Sequence, residues 1–237
     1  MVYVSAMALS DLNFPHIQVA LDPPLSIEAL CELAKKVSKG GSRLIEAGTP
    51  PLKLHGLTHL LPALKKAVPD AVLVADMKTM DVGDLEAKIA FDNGADIVSV
   101  LAIGGDKKIE EAVKVAKNRG KDIYIDLIDV GEPLSRIREI KRHILSPLNK
   151  SAIFLLHRGI SQQRKESKGI YEEKHLISQV ATDLKNHYLA IAGGLKREEV
   201  KELSQFADIL IVGSTITSSS QPQKMTRQLF QEIQAGS

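Results

Sequence analysis

Val72-Leu73-Val74-Ala75, running straight into Asp76-Met77-Lys78-Thr79-Met80-Asp81, is the stretch on which the reading of this chain turns. Four apolar residues in a row, with no polar alternation, predict a strand covered on both faces, as in a parallel sheet packed between helices. The acids and lysine crowded into the next six residues predict that this buried strand opens onto a charged site. Like charges close together raise each other's free energy, so such a cluster beside a buried sheet needs a compensating ion or ligand.

The same short apolar signature recurs along the chain at Ile17 to Leu21, Arg43 to Ala47, Ile97 to Leu101, Ile123 to Leu127, Ala152 to Leu156, Tyr188 to Ala192 and Ile209 to Val212, which with Val72 to Ala75 makes eight runs. Between them lie segments of helical spacing, such as Ile27, Leu30, Ala34 and Val37, or Ile109, Ala112, Val113 and Ala116, each with charge on its opposite face. Ser26 has the character of an N-cap and Pro133 of a first helical turn, while Gly40-Gly41, Asn93-Gly94 and Arg119-Gly120 stand where helices should stop. Eight βα units in unbroken series predict the α/β class and a (β/α)8 TIM barrel, one domain over residues 1–237. Two segments break the regularity. Arg142 to Ser151 contains Pro147, expected to end a helix before the sixth strand, and Arg158 to Gly169 reads as a charged loop, a mobile lid or simply solvated chain.

The net charge of +2 excludes a field strong enough to argue for nucleic acid or an anionic membrane. The lone Cys31 excludes a disulfide framework and fits a reducing cytoplasm. The first ten residues lack the pattern of a secretory signal, and no run approaches a membrane span. A small-molecule partner is expected.

In a barrel the chemistry sits at the C-terminal ends of the strands. Those ends read Asp22, then Glu46, then Asp76, Lys78 and Asp81, then Asp126, then His157, and finally Gly193-Gly194 and Gly213. Any one carboxylate here is well explained as a helix cap or turn residue; convergence of ionisable residues from five strands is not. Glu46 and Asp76, on neighbouring strands, can offer oxygens to a divalent cation, read as Mg²⁺, with no Cys or His cluster to suggest zinc. Lys78, held among Asp76 and Asp81, should stay protonated and stabilise an oxyanion or relay a proton. His157 is a candidate general base or acid. The glycines after strands seven and eight, with hydroxyls from Ser214 and Thr215, form a candidate phosphate cradle. An ion-pair network that merely locks the barrel mouth is the competing reading of the charged residues.

The Asp76-x-Lys78-x-x-Asp81 run resembles the signature of the orotidine monophosphate decarboxylase suprafamily, and the resemblance extends over nearly the whole chain. Gln18-Val19-Ala20-Leu21-Asp22, Glu46-Ala47-Gly48-Thr49-Pro50, Ala75 to Asp81 and Ala190-Ile191-Ala192-Gly193-Gly194 are similar to its 3-hexulose-6-phosphate synthase branch. Glu46 stands where the nucleotide decarboxylases carry a lysine, and so points to the metal-dependent members. The resemblance implies reversible aldol condensation of formaldehyde with ribulose 5-phosphate through an enediolate. It implies metal ligands at Glu46 and Asp76, catalytic roles for Asp22, Lys78, Asp81 and His157, and a homodimer in which Asp81 reaches the neighbouring subunit's site. The synthases follow the histidine with Thr-Gly, whereas this chain has Arg158-Gly159, which marks Arg158 as a candidate phosphate or acceptor contact. A keto-gulonate phosphate decarboxylase, an orotidine-type carboxy-lyase, or a silent sugar-phosphate-binding barrel would use much the same parts.

Overall fold

Eight parallel strands close on themselves in chain order: β1 (His16–Leu21), β2 (Leu44–Ala47), β3 (Val72–Thr79), β4 (Ile97–Leu101), β5 (Asp122–Asp126), β6 (Ile153–His157), β7 (Tyr188–Ala192) and β8 (Ile209–Val212). The ladder is sealed where β1 pairs with β8 as well as with β2. This is the (β/α)8 barrel that the apolar runs predict. The computed structural model describes residues 8–166 and 169–234. Among these, no helix is long and apolar enough to cross a membrane.

Side chains alternate across each strand, so every strand divides into two sets. One set, exemplified by Val19, Ile45, Leu73, Val98, Ile123 and Phe154, packs outward against the helices. The other fills the lumen: Ala20, Leu44, Val72, Val74, Ile97, Tyr124, Ile153, Leu155, Ala190, Ala192, Ile209 and Ile211 form one buried cluster. Leu9, Leu12 and Phe14 close its N-terminal end, with the Phe14 and Tyr188 rings 5.1 Å apart. Following the lumen set toward the C-terminal end, apolar residues give way to Asp22, Glu46, Asp76, Asp126 and His157. The alternation that builds the core therefore also aims the ionisable groups.

Helix boundaries follow local chemistry. Ser26 Oγ accepts from the Ala29 amide at 3.3 Å and starts the helix Ile27–Lys39. Pro133 sits in the first turn of Pro133–Ile140. Gly41, Gly94 and Gly120 take φ of 120°, 102° and 62° just beyond their helices, a region L side chains avoid. The segment Arg142 to Ser151 does end a helix before β6, one residue beyond Pro147. The chain passes from Pro133–Ile140 through a widened π turn at Lys141–Leu145 into Ser146–Leu148, and stops at Asn149 with φ 45°. A wider turn accommodates a residue that lacks an N–H and crowds the carbonyl four residues back. The segment read as a charged loop begins instead as a helix, Ile160–Glu166. The side chains at positions 162, 164 and 166, and residues 167–168, on which the lid expectation partly falls, lie outside the described residues.

Candidate active site

At the C-terminal end of the barrel lies a cavity of about 570 Å³ whose walls include Asp22, Glu46, Asp76, Lys78, His157 and the glycines 193, 194 and 213. Its acidic wall comes from β1, β2 and β3. Glu46 is buried, and among the described residues its Oε2 accepts one bond, at 2.5 Å from Gln18 Nε2. Burial above all, then the charges of Asp76 and Asp22, push the Glu46 carboxyl well above the ordinary carboxylate range. Burial and Asp76 push Asp22 up as well. Asp22 is wedged in place: a Cβ built on Gly48 would stand 2.2 Å from its Oδ1, and one on Gly213 3.2 Å from its Oδ2. No larger residue fits at position 48.

β3 does more than its apolar run implies. It continues to Thr79, but Ala75 pairs with Val98 and Thr79 with Val100, so four steps on β3 face two on β4. This bulge returns Lys78 to the cavity at φ 47°, its amide anchored on Ser99 Oγ at 2.9 Å. Lys78 Nζ lies 2.8 Å from Asp76 Oδ2 and 3.4 Å from Asp126 Oδ2. Burial alone would lower the ammonium's pKa; Asp76 and then Asp126 reverse the sign and raise it, so the group stays a cation. Asp76 is further held by Thr49 Oγ1 at 2.7 Å and Ser99 Oγ at 2.9 Å.

Opposite stands a second pair. Asp126 is fully buried, and its oxygens lie 3.0 and 3.2 Å from His157 Nδ1. A carboxylate only accepts, so Nδ1 carries the proton and Nε2 faces the cavity as a base. Burial works against the Asp126 charge, yet the bonds from His157, the Lys78 cation and the Ile128 amide hold its carboxyl below the usual value. Below the acids, Tyr124 O–H donates to Gln18 Oε1 at 2.7 Å.

The β7–β8 wall is backbone. Gly193 and Gly194 take φ of 126° and 72°, and a Cβ on Gly193 would strike the Arg158 main chain at 2.8 Å. The chain here is therefore bare, with Gly213 and Ser214 completing the concavity. A short helix, Ser214–Thr217, starts directly after Gly213, whereas the helix after Gly194 starts only at Arg197.

The cavity thus gathers Asp22, Glu46, Asp76, Lys78, His157, Gly193, Gly194, Gly213 and Ser214. Asp81, Arg158 and Thr215 do not line it. Asp81 is exposed, with Oδ1 accepting from the Val82 amide, so Lys78 is held between Asp76 and Asp126 rather than between Asp76 and Asp81. Arg158 follows the inward His157, so alternation turns it away from the lumen, where it is buried with Nη1 2.6 Å from Glu173 Oε1. The Thr215 hydroxyl is committed to the Leu195 carbonyl. The sequence marks Asp126 as a strand end without giving it a role, carries Gln18 and Thr49 only inside stretches that resemble the synthases, and does not single out Ser99 or Tyr124. Counting inward positions strand by strand would have found Gln18, Ser99 and Tyr124.

The family model for "Orotidine 5'-phosphate decarboxylase / HUMPS family" matches residues 15–229. The chain belongs to that family. The 3-hexulose-6-phosphate synthase of Mycobacterium gastri is 35% identical over 215 residues, 90% of this chain and 97% of that protein. The bifunctional enzyme Fae/Hps of Methanocella arvoryzae is 33% identical over 220 residues; the match takes in 92% of this chain but 53% of that one, about half its length. Among solved structures of the decarboxylase/HUMPS fold, a 3-hexulose-6-phosphate synthase superposes with TM-score 0.81 at 34% identity, covering 92% of this chain and 99% of its own. The 3-keto-L-gulonate-6-phosphate decarboxylase of Vibrio cholerae superposes with TM-score 0.77 at 22% identity, covering 95% of this chain and 100% of its own, and shares the fold.

Proposed function

We propose that the chain catalyses the reversible aldol condensation of formaldehyde with D-ribulose 5-phosphate to D-arabino-3-hexulose 6-phosphate. The carrying observation is one cavity that holds a base oriented by a carboxylate, His157 on Asp126, beside a cation fixed between two acids, Lys78. His157 Nε2 removes a C1 proton from the bound ketose, and Asp126 stabilises the imidazolium. The electron pair left on C1 is delocalised into an enediolate whose charge faces the Lys78 ammonium. C1 then attacks the formaldehyde carbon. The new C–C bond forms as the C=O pair moves to oxygen, and that oxygen takes back the proton from His157. The bare backbone at Gly193, Gly194 and Gly213, with Ser214, seats the phosphate.

Glu46 and Asp76 are the proposed Mg²⁺ ligands, with Asp22 beside them. Their donor set is oxygen only, and Glu46 and Asp22 are both made harder to ionise by burial and by Asp76, a cost that a bound cation would offset. Among the described residues no three His, Cys, Asp or Glu side chains are gathered into a ready cage. Mg²⁺ suits that, since it binds through one or two carboxylates and keeps waters or substrate oxygens. When bound it supplies Lewis-acid polarisation of the ketose carbonyl. Asp81 is proposed to serve the neighbouring site of a homodimer, for it is exposed and flanked by exposed Met80, Val82, Leu85 and Ile103. The half-buried thiol of Cys31 suits a cytoplasmic setting.

Purified protein should consume ribulose 5-phosphate only with formaldehyde present, lose that activity in EDTA and regain it with Mg²⁺. CO₂ release from 3-keto-L-gulonate 6-phosphate without the formaldehyde reaction would replace the proposal by a carboxy-lyase. No exchange of the ketose C1 proton in D₂O would make the barrel a binding module.

A further inference from the structure

Gln18 belongs to β1 and Tyr124 to β5, strands on opposite sides of the barrel, so the hydrogen bond between them crosses the lumen. Both residues are fully enclosed, at 0% and 1% exposure, immediately beneath the acidic wall. The bond has a directional consequence. An amide side chain has an acceptor end and a donor end, and a neutral phenol can satisfy Gln18 Oε1 by donating to it. With Oε1 so engaged, Nε2 must face Glu46, where it donates to Oε2 at 2.5 Å. Among the described residues Glu46 Oε1 takes no hydrogen bond.

A carboxylate only accepts, so Glu46 draws the Nε2 end of Gln18 toward itself, and Tyr124 tethers the other end. Without the phenol the amide oxygen is left unsatisfied in an enclosed layer, and the donor that holds Glu46 Oε2 is free to shift. A hydroxyl is a costly group to place in an otherwise apolar lumen layer of Leu44, Val74, Ile97 and Leu155 unless its bond is used.

We infer that Gln18, tethered at its amide oxygen by Tyr124, is a positioning residue that presents the free oxygen of Glu46 to the cavity and so sets how tightly the site holds a divalent cation. The inference rests on the metal reading of Glu46 and Asp76. Groups that orient metal ligands in this way are worth about ten- to a hundredfold in metal affinity.

Mn²⁺ alone, followed by the loss of its free-ion EPR signal, is the probe. Tyr124→Phe removes one oxygen from an enclosed site, and should weaken Mn²⁺ binding about tenfold while kcat at saturating metal stays at the parent value. Gln18→Leu should weaken it by about as much or more, and adding Tyr124→Phe to that background should change nothing further, because Tyr124 acts only through Gln18. Additive losses, or Mn²⁺ affinities equal to the parent's in both single variants, overturn the inference while leaving the metal site intact. A parent protein that binds no Mn²⁺ overturns the metal reading and this inference together.

Discussion

Glu46 and Asp96 are buried to the same degree, 7% exposed each, at opposite ends of one barrel, and their carboxyls move in opposite directions. Asp96, at the N-terminal end just before β4, is met by Lys65 Nζ at 2.7 Å, Lys121 Nζ at 2.5 Å and the Leu73 amide at 3.0 Å, and these outweigh burial to hold it below the usual value. Glu46, at the C-terminal end, is pushed up by burial and by Asp76 and Asp22, which the Lys78 charge and the single bond from Gln18 do not offset. The floor of the barrel resolves its charges internally and turns them to stability. At the mouth Lys78 and His157 answer Asp76 and Asp126, but Glu46 and Asp22 are left for whatever binds.

Exchanging the carboxyl for an amide at each end tests that division. Glu46→Gln should cut kcat/KM by about a thousandfold, some 4 kcal/mol of transition-state stabilisation, while Tm is no lower than the parent's because a repelled carboxyl has gone. A drop in Tm would show that Glu46 supports the fold. His157→Asn should slow C1 proton exchange about a hundredfold with thermal melting unchanged. At the other end, Asp96→Asn should cost about 2–3 kcal/mol in chemical denaturation, since two lysines lose a shared partner, with kcat unaltered in the folded fraction. Lost turnover there would erase the contrast.

The smallest effect expected is one of pH. His16, at the start of β1, has Nδ1 3.3 Å from the Asn13 carbonyl, and its Nε2 accepts from the Arg43 amide at 3.2 Å, so the ring must be neutral to fit. Burial is the main reason its pKa falls from 6.5 to about 4, with the Arg43 charge adding to it against the Asn13 bond. The unfolded chain therefore binds this proton first. Stability is full above pH 6.5 and declines as pH falls toward 4, with about 2 kcal/mol lost by pH 5. His16→Gln keeps one donor and one acceptor without the titration, and should flatten this limb of a plot of denaturation free energy against pH.

The barrel was legible because each strand is short, apolar and bracketed by helix stops, and eight such units in unbroken series favour closure over an open doubly wound sheet. Most of the site was legible because barrel chemistry has a fixed address, the strand end. What escaped depends on side-chain direction and on three-dimensional pairing. Arg158 sits beside the inward His157 and points elsewhere, Asp81 lies beyond the end of β3 among exposed residues, and Asp126 acts through His157, 31 residues away. The π turn before β6 has no signature beyond a proline that ordinarily signals the opposite, and the Gln18–Tyr124 bond spans 106 residues.

The bulge in β3 carries one more implication, about chain length. Its surplus over β4 is an even number of residues, so the ladder resumes at Thr79 with inside and outside unexchanged. The cavity's lysine thus rides on an insert that the hydrogen-bonded frame does not require. Excising Met77 and Lys78 together would leave every later position in phase, whereas removing one residue would turn the rest of the strand inside out. Reactivity and closure of the barrel are, at this point, written in separable lengths of chain.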